Sequence, residues 1–250
     1  MREAGALALA KFRTNVRNWT KEHNSPVSEA DIDVDLFLRQ RLTGFAPDCG
    51  WLSEESRDDL KRLDAVRVWI VDPIDGTRAF IAGRADWSIS AALVEHGRPI
   101  AAAIYAPVTD ELFTAVKGQG MRLNAMRVRL AAEAKSANLR TAGPKRYLDT
   151  LAEHRPDVEP LAKVHSLALR LARVADGTID VAFASANSRD WDLAAADLLV
   201  HEAGGAMSSF GGERPIYNKE EPVHAPLIAA GPAHHAEILG LLAAHRRSFS

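Results

Sequence analysis

The stretch VWIVDPIDGTRAF, residues 68–80, sets two acids three residues apart directly after an apolar run. The apolar run, residues 68–71, predicts a buried strand with Asp72 at its end. Pro73 fixes the backbone there, and its nitrogen carries no hydrogen to donate to a neighbouring strand. The chain is therefore predicted to turn between Asp72 and Asp75.

The turn that follows has features suited to an anion. Gly76 permits close backbone approach, and the N–H groups of Gly76 and Thr77 can face a bound anion. One interpretation is a site where the acids hold cations and the turn holds phosphate. The other is a strand end where the acids only cap backbone groups. Short motifs carry a real risk of false matches, but the full string DPIDGT is far more specific than two spaced acids.

Composition limits the functions that fit. With 250 residues, 47% hydrophobic and 26% charged, the chain fits one large α/β domain or two fused lobes. No segment approaches the roughly 18 consecutive apolar residues of a membrane span, and the N-terminus favours an amphipathic helix over a secretory signal. We therefore expect a cytoplasmic protein without a membrane partner. A net charge of −2 with interspersed signs argues against binding a nucleic acid polymer.

The first half of the chain predicts a helix followed by a sheet. Residues 28–44 have an N-cap at Ser28, an apolar face that includes Leu36, and a C-terminal stop at Gly44. Short buried strands are predicted at GWLS and RVWIV. The segments WSISAALV, PIAAAIYA and ELFTAV, separated by turn residues, predict an antiparallel meander.

The second half predicts helices over residues 161–177 and 191–205, with strands and a C-terminal helix around them. His165 falls within the first of these helices and is predicted to be a packing or surface residue rather than a catalyst.

Sheets alternating with helix pairs indicate a layered α/β sandwich. We predict a single domain, residues 1–250, with a soft division near residue 135. The first lobe, 1–135, would carry DPIDGT, and the second, 136–250, would form the substrate side.

Further acids lie at the ends of predicted elements. WLSEES sets Glu54 and Glu55 after a short strand, where they could converge with Asp72 if the two strands are neighbours. RDWDLAAAD sets Asp192 at a helix start, either as a cap worth about 1 kcal/mol or as a ligand on a rigid element. Converging carboxylates without cations would repel one another. Oxygen ligands without Cys or His favour Mg²⁺, or Mn²⁺, over zinc.

The strings WLSEES, WIVDPIDGTRAF and WDLAAADLLVHEAGG resemble the signature blocks of the inositol monophosphatase family. This family belongs to a group of lithium-sensitive, magnesium-dependent phosphatases that includes bisphosphate nucleotidases and fructose bisphosphatases. The likeness covers nearly the whole chain. It implies a five-layered α/β/α/β/α sandwich with two to three Mg²⁺ ions between the lobes, and hydrolysis of a small phosphorylated metabolite. A homodimer is also in keeping with many relatives.

The resemblance implies roles for the residues at matching positions. The implied metal ligands are Glu54, Asp72, the main-chain carbonyl of Ile74, Asp75 and Asp192, with Asp31 and Glu55 for a weaker metal. The implied catalytic residues are Glu54, Thr77 and Asp72, of which Glu54 and Thr77 hold the attacking water. The predicted substrate contacts are Asp75, Gly76, Thr77, Ser185, Arg189, Asp192 and Lys21, of which Arg189 is included for its charge near Asp192 and not for a matching family position.

Two positions depart from the inositol-specific members. Thr77 is followed by Arg78, where those members carry a polar pair and nucleotidase-like or histidinol-phosphatase-like members more often carry a basic residue. Ser185 stands seven residues before Asp192, where the inositol enzymes carry the glutamate that holds the inositol hydroxyls.

The substrate therefore stays open among inositol monophosphate, a 3′(2′),5′-bisphosphate nucleotide and histidinol phosphate. Arg189, Lys145 or Arg146 could meet a second phosphate, or could simply be solvated basic residues. A different class of function, a non-catalytic relative that binds metal or phosphate, remains the alternative.

Overall fold

The protein is represented by a computed structural model that describes residues 1–21, 26–131, 137–245 and 248–249. The described helices are α1 (Arg2–Lys11), α2 (Glu29–Phe45), α3 (Thr77–Ile81), α4 (Lys145–His154), α5 (Leu167–Ala175), α6 (Asp190–Glu202) and α7 (His235–Ala244). No described helix is both long enough and apolar enough to cross a membrane.

The large sheet has seven strands in the order β3-β4-β5-β6-β7-β8-β9. Its strands are β3 (Gly50–Ser53), β4 (Arg67–Asp75), β5 (Ser88–Glu95), β6 (Arg98–Ala106), β7 (Glu111–Val116), β8 (Gly120–Leu123) and β9 (Met126–Val128). Strands β3 and β4 are parallel, and every later neighbour is antiparallel. The predicted meander is confirmed.

The smaller sheet has five strands in the order β11-β10-β12-β16-β14. Its strands are β10 (Leu139–Ala142), β11 (Val158–Pro160), β12 (Val181–Ala184), β14 (Ala206–Ser209) and β16 (Leu227–Ala230). Two short antiparallel pairs complete the described strands: β1 (Asn18–Thr20) with β2 (Pro26–Ser28), and β13 (Ser188–Arg189) with β15 (Val223–His224).

The elements stack in five layers. Helices α1 and α2 cover one face of the large sheet, α5 and α6 lie between the two sheets, and α4 and α7 cover the far face of the small sheet. The apolar core is divided in the same way, with its largest part around the central helix pair. The expected five-layered α/β/α/β/α sandwich is confirmed. The predicted division near residue 135 lies outside the described residues, and the two-lobe division stays a prediction.

Strand β4 continues past the point where the sequence predicted its end. The pairing with β5 shifts register between Asp72, opposite Ser90, and Asp75, opposite Ser88. A bulge at this position absorbs the missing N–H of Pro73, so the strand bends instead of ending. The bulge sets Asp72 and Asp75 on one continuous strand.

Helix α2 departs from its predicted end and face. Ser28 caps the helix as predicted, but the helix runs through Gly44 and ends at Phe45. Leu36, predicted to face the core, is 61% exposed, because the buried stripe runs through Val34 and Leu38 instead. Val34 and Leu38 are four residues apart, so helical periodicity is as compatible with this buried stripe as with the predicted face that includes Leu36.

Two helix glycines differ sharply in their surroundings. A Cβ on Gly5 of α1 would lie 2.3 Å from Cε1 of Tyr105 on β6, whereas a Cβ on Gly44 would meet nothing within 4 Å. The Tyr105 hydroxyl donates to Asp110 at 2.7 Å, which limits how far the ring can move aside. Gly5 therefore lets α1 pack closely on the sheet.

We expect Gly5→Val to lower the free energy of unfolding by about 2 kcal/mol, because overpacking strains the α1–β6 contact. Gly44→Ala should raise it by up to about 1 kcal/mol through helix propensity. Urea denaturation of both variants checks the pair. A Gly5→Val protein as stable as the parent would contradict the close α1–β6 packing.

Candidate active site

Three carboxylates meet where β4 bends. One oxygen from each of Asp72, Asp75 and Asp192 lies within 4.8 Å of the others. The first two lie on β4 on either side of the bulge, and Asp192 lies in the first turn of α6. The main-chain N–H of Arg189 donates to Asp192 at 2.6 Å and fixes its orientation. Two elements distant in sequence thus build one acidic cluster.

The parallel pairing of β3 with β4 brings Glu54 close to the cluster of Asp72, Asp75 and Asp192. Its N–H donates to the carbonyl of Val71 at 3.3 Å, which extends the pairing one residue beyond β3. Asp35, buried on α2, accepts hydrogen bonds from Ser53 at 2.5 Å and Ser56 at 2.6 Å, on either side of Glu54. Asp35 thus anchors the segment, and Glu54 lines the same pocket as Asp72.

The N-terminus of α5 holds Asp75. Ser166 Oγ donates to its carboxylate at 2.5 Å, and the N–H groups of Leu167 and Ala168 donate at 3.2 and 2.6 Å. Gly76 follows with φ +92°, and a Cβ there would lie 3.1 Å from the Ser166 nitrogen. This position therefore requires glycine twice, for its backbone angle and for its lack of a side chain.

The hydroxyl of Thr77 is already committed as a donor. It lies 3.0 Å from Asp31 Oδ1 and 3.1 Å from the carbonyl oxygen of Ile74. Asp31 in turn accepts from the N–H of Ser28 at 2.8 Å and from its hydroxyl at 2.6 Å. One residue thus completes the capping box of α2 and orients the threonine beside the acidic cluster.

Lys21 reaches this region from the loop before residues 22–25, which lie outside the described part of the chain. Its Nζ lies 2.7 Å from Glu55 and 3.2 Å from Glu54. The Glu55 side chain is only 2% exposed, so the ammonium offsets a buried charge. The structure thus sets Lys21 beside two of the expected metal ligands.

The two remaining substrate candidates, Ser185 and Arg189, do not line the acidic pocket, although the Arg189 backbone contacts Asp192. Ser185 is exposed and lines a neighbouring cavity. The Arg189 guanidinium lies over the ring of Trp191, with its Cζ 5.9 Å from the ring centroid. The described residues that line the acidic pocket include neither of them.

This pocket has a volume of about 260 Å³, and four residues that were not predicted as site residues also line it: Pro26, Arg78, Lys163 and His165. The prediction that His165 lies within a helix was wrong, because α5 begins at Leu167 with Ser166 as its N-cap. The N–H and Nδ1 of His165 lie 2.8 and 2.6 Å from Asp86, which holds the ring at the pocket wall. A serine before an apolar run is the signal that could have moved the helix start.

Burial dominates the electrostatics of the cluster. Burial, with repulsion from Glu54 and Asp75, raises the pKa of Asp72 well above its usual range, and burial likewise raises that of Asp192. Burial also raises the pKa of Asp31 to about 6 and of Glu55 to about 7. The cluster therefore cannot ionise fully at neutral pH without a compensating positive charge.

The donor set fits a hard divalent cation. Asp72 Oδ1 is buried without a hydrogen-bond partner among the described residues. The converging atoms are carboxylate oxygens, which suit Mg²⁺ or Ca²⁺ rather than thiolate-preferring metals. A cation here would supply the missing partner and relieve the repulsion.

The comparisons with known proteins agree with this geometry. Residues 1–248 match the family model described as the inositol monophosphatase family. The chain belongs to the inositol monophosphatase family. The resemblance drawn from the sequence is thereby confirmed, together with the layered fold.

Individual members of the family are also similar to this chain over nearly its whole length. The chain is 35% identical to an inositol-1-monophosphatase of Rhizobium meliloti, over 93% of this chain and 89% of that protein. It is 31% identical to the Nus factor SuhB of Pasteurella multocida, over 95% and 91%. The structure of the extragenic suppressor protein SuhB from Bartonella henselae superimposes with a TM-score of 0.85 at 30% identity, covering 96% and 94%.

The raised pKa values predict how stability depends on pH in the absence of metal. A carboxyl whose folded pKa is raised contributes stability that is full below about pH 4 and is lost as pH rises through the folded value. For Asp31 and Asp75, with pKa values of about 6, and Glu55, at about 7, that loss spans about pH 4 to 7.

We therefore expect Asp72→Asn to stabilise the metal-free protein more at about pH 7.5 than at about pH 5, because it removes repulsion among ionised acids. Urea unfolding in EDTA measures the difference. Added Mg²⁺ should stabilise the parent and have much less effect on the variant. Equal destabilisation of the variant at both pH values would contradict the repulsion.

Proposed function

We propose that this chain is a magnesium-dependent phosphatase that uses water to hydrolyse a small phosphate monoester. The observation that carries the proposal is the buried cluster of Asp72, Asp75 and Asp192 beside the Gly76–Thr77 turn. The adjoining pocket, of about 260 Å³, suits a phosphate group.

The residues that would hold the cations are those implied by the family resemblance. They are Glu54, Asp72, the carbonyl of Ile74, Asp75 and Asp192, with Asp31 and Glu55 for a weaker ion. Mg²⁺, when bound, would neutralise phosphate charge and make water more acidic. Phosphate monoester hydrolysis needs up to about 10²¹-fold acceleration, and a general base supplies only about 10²- to 10⁴-fold. Stabilisation of charge in the transition state must therefore supply most of the rate acceleration.

Thr77 and Glu54 are proposed to hold the attacking water. The single hydroxyl hydrogen of Thr77 is directed to Asp31 or to the Ile74 carbonyl, so its oxygen is left to accept a hydrogen from water. Glu54 would accept the other hydrogen and act as general base. No side chain is required as a covalent nucleophile.

The phosphate would be bound by the backbone at the turn. As the cap and first residue of α3, Gly76 and Thr77 have N–H groups without acceptors inside the helix. Lys163, on the pocket wall, adds a positive charge. Lys21, already paired with Glu54 and Glu55, would hold these acids rather than the phosphate.

The names of the relatives leave two classes of function. The Rhizobium protein is named for inositol 1-phosphate hydrolysis, and the SuhB proteins are named as Nus factors. The expected ligand positions of this chain all carry acids, apart from the Ile74 carbonyl, which favours an enzyme over a non-catalytic relative. Inositol monophosphate, a bisphosphate nucleotide and histidinol phosphate remain the candidate substrates. The cytoplasmic location and the homodimer stay predictions.

We expect phosphate release from at least one of these esters to require Mg²⁺. Asp72→Asn should lower kcat by about 10³-fold or more, because a buried ligand position loses its charge. The matched control is Asp33→Asn on α2, whose carboxylate pairs with Lys11 away from the pocket. A folded parent protein that releases no phosphate from any of the three candidate esters in the presence of Mg²⁺ would contradict the proposal that the chain is a phosphatase.

The role of Thr77 can be tested separately. Thr77→Val should lower kcat by about 10²-fold with little change in KM, because it removes the acceptor for water and leaves the backbone unchanged. Thr77→Ser keeps the hydroxyl and should retain most of the activity. Similar kcat values for the valine and serine variants would show that the hydroxyl does not orient the water.

A further inference from the structure

A second cavity adjoins the acidic pocket. It has a volume of about 630 Å³ and is lined by residues of α4, by the segment before α5, and by Arg170 and Ser185. Lys163 lines both this cavity and the acidic pocket, so the two are neighbours. A space of this size accommodates the body of a small metabolite.

The second cavity is positively charged. Its charged lining residues are Lys145, Lys163, Arg170 and Asp149. Lys145 lies 2.5 Å from Asp149, one helical turn along α4, and these two charges cancel. Lys163 and Arg170 therefore give the lining of the cavity a net positive charge, which favours an anion.

Arg170 is the residue in this wall whose environment is incomplete. Its Nε is buried and has no hydrogen-bond partner among the described residues. An arginine remains protonated in proteins, and leaving a buried donor unpaired is costly. A ligand that accepts this hydrogen bond would remove the cost.

A purely structural explanation for Arg170 is that it balances the acids of the first pocket. Asp75 and Asp192 do favour its charged form, against the effect of burial on its pKa. In the described part of the chain, Asp75 and Asp192 act on Arg170 only through their charge, without a hydrogen bond to it. The guanidinium therefore lies near the acidic cluster, its Nε donor is unpaired among the described residues, and Arg170 also lines the second cavity.

We propose that Arg170 binds a second anionic group of the substrate in this cavity. The inference depends on the proposed phosphatase function and narrows its substrate class to a metabolite that carries a second phosphate or a carboxylate beside the phosphate ester. The planar guanidinium suits either oxyanion. The neutral hydroxyls of an inositol ring would leave the charge of Arg170 without a counterion.

Arg170 acts here as a specificity-determining residue, and matched ester pairs test that role. Adenosine 3′,5′-bisphosphate is compared with adenosine 3′-monophosphate, and 2-phosphoglycerate with glycerol 2-phosphate. Each pair shares a scissile phosphate position and differs in the second anion, a phosphate in the first pair and a carboxylate in the second. The parent should show a kcat/KM at least about tenfold higher for the member of one pair that carries the second anionic group, the size expected of a charged hydrogen bond.

Arg170→Gln should abolish that preference while changing kcat/KM for the partner that lacks the second anionic group by less than about twofold. Arg170→Lys, which keeps the charge, should retain part of the preference. The control is Arg173→Gln on the same helix, whose guanidinium pairs with Glu111 and Asp176. A preference that survives in Arg170→Gln would overturn the proposal. An equal loss for both members of a pair would do the same and assign Arg170 to the charge balance of the acids.

A binding experiment separates this proposal from the phosphatase itself. Titration calorimetry in EDTA compares adenosine 3′,5′-bisphosphate with adenosine 3′-monophosphate, and 2-phosphoglycerate with glycerol 2-phosphate, on folded parent and Arg170→Gln proteins. Tighter binding of the member with the second anionic group, lost in the variant, supports the role of Arg170 even if no ester is hydrolysed. Equal affinities within both pairs for the parent overturn it, whether or not the protein is a phosphatase.

Discussion

The contact on which the site depends is the carboxylate of Asp75 at the N-terminus of α5. Three donors from α5 hold this acid, which is the last residue of β4, so one side chain joins the large sheet to the central helix layer. The helix N-terminus also favours negative charge. Burial raises the pKa of Asp75 only to about 6 because these hydrogen bonds oppose it, whereas that of Asp72, which lacks such donors, lies well above its usual range.

The remaining acids are buried close to one another, and their own secondary-structure elements hold them there. Asp72 is fixed by the strand, Asp192 by the first turn of α6, and Asp31 by the capping box of α2. Asp31 and Asp192 stabilise their helices by accepting hydrogen bonds at the N-termini, but the repulsion among the buried acids is a cost that the fold tolerates. A bound cation converts that cost into a binding free energy, because it interacts with ionised carboxylates that the folded chain already holds in place.

Much of the fold could be predicted from local patterns, and the errors have physical causes. The helix expected over 161–177 was too long because apolar spacing continues before Ser166. Ser166 as a candidate N-cap was the local signal for the true start, and the contact of Asp86 with the N–H of His165 holds the preceding residue outside the helix. The end of β4 was misplaced because proline is compatible with a bulge as well as with a strand end. The acids were found because DPIDGT is local. Arg170 was missed because its significance depends on a buried, unpaired Nε and on the cavity that the residue lines. The spacing of residues in the sequence reveals neither feature.

The division of the site into two cavities explains why the reaction is easier to infer than the substrate. The acidic pocket contains the groups proposed to act on any phosphate ester, and they come from short motifs with strict backbone requirements, such as Gly76. The second cavity is built from α4, α5 and the end of β12, where side chains can change without disturbing those motifs. Helix α5 contributes to both, since its first turn holds Asp75 and Arg170 follows within the next turn. If the proposed roles hold, recognition of the distant part of a substrate and the position of a metal ligand depend on the same rigid element, so binding energy in the second cavity would be available to align the ester over the acids.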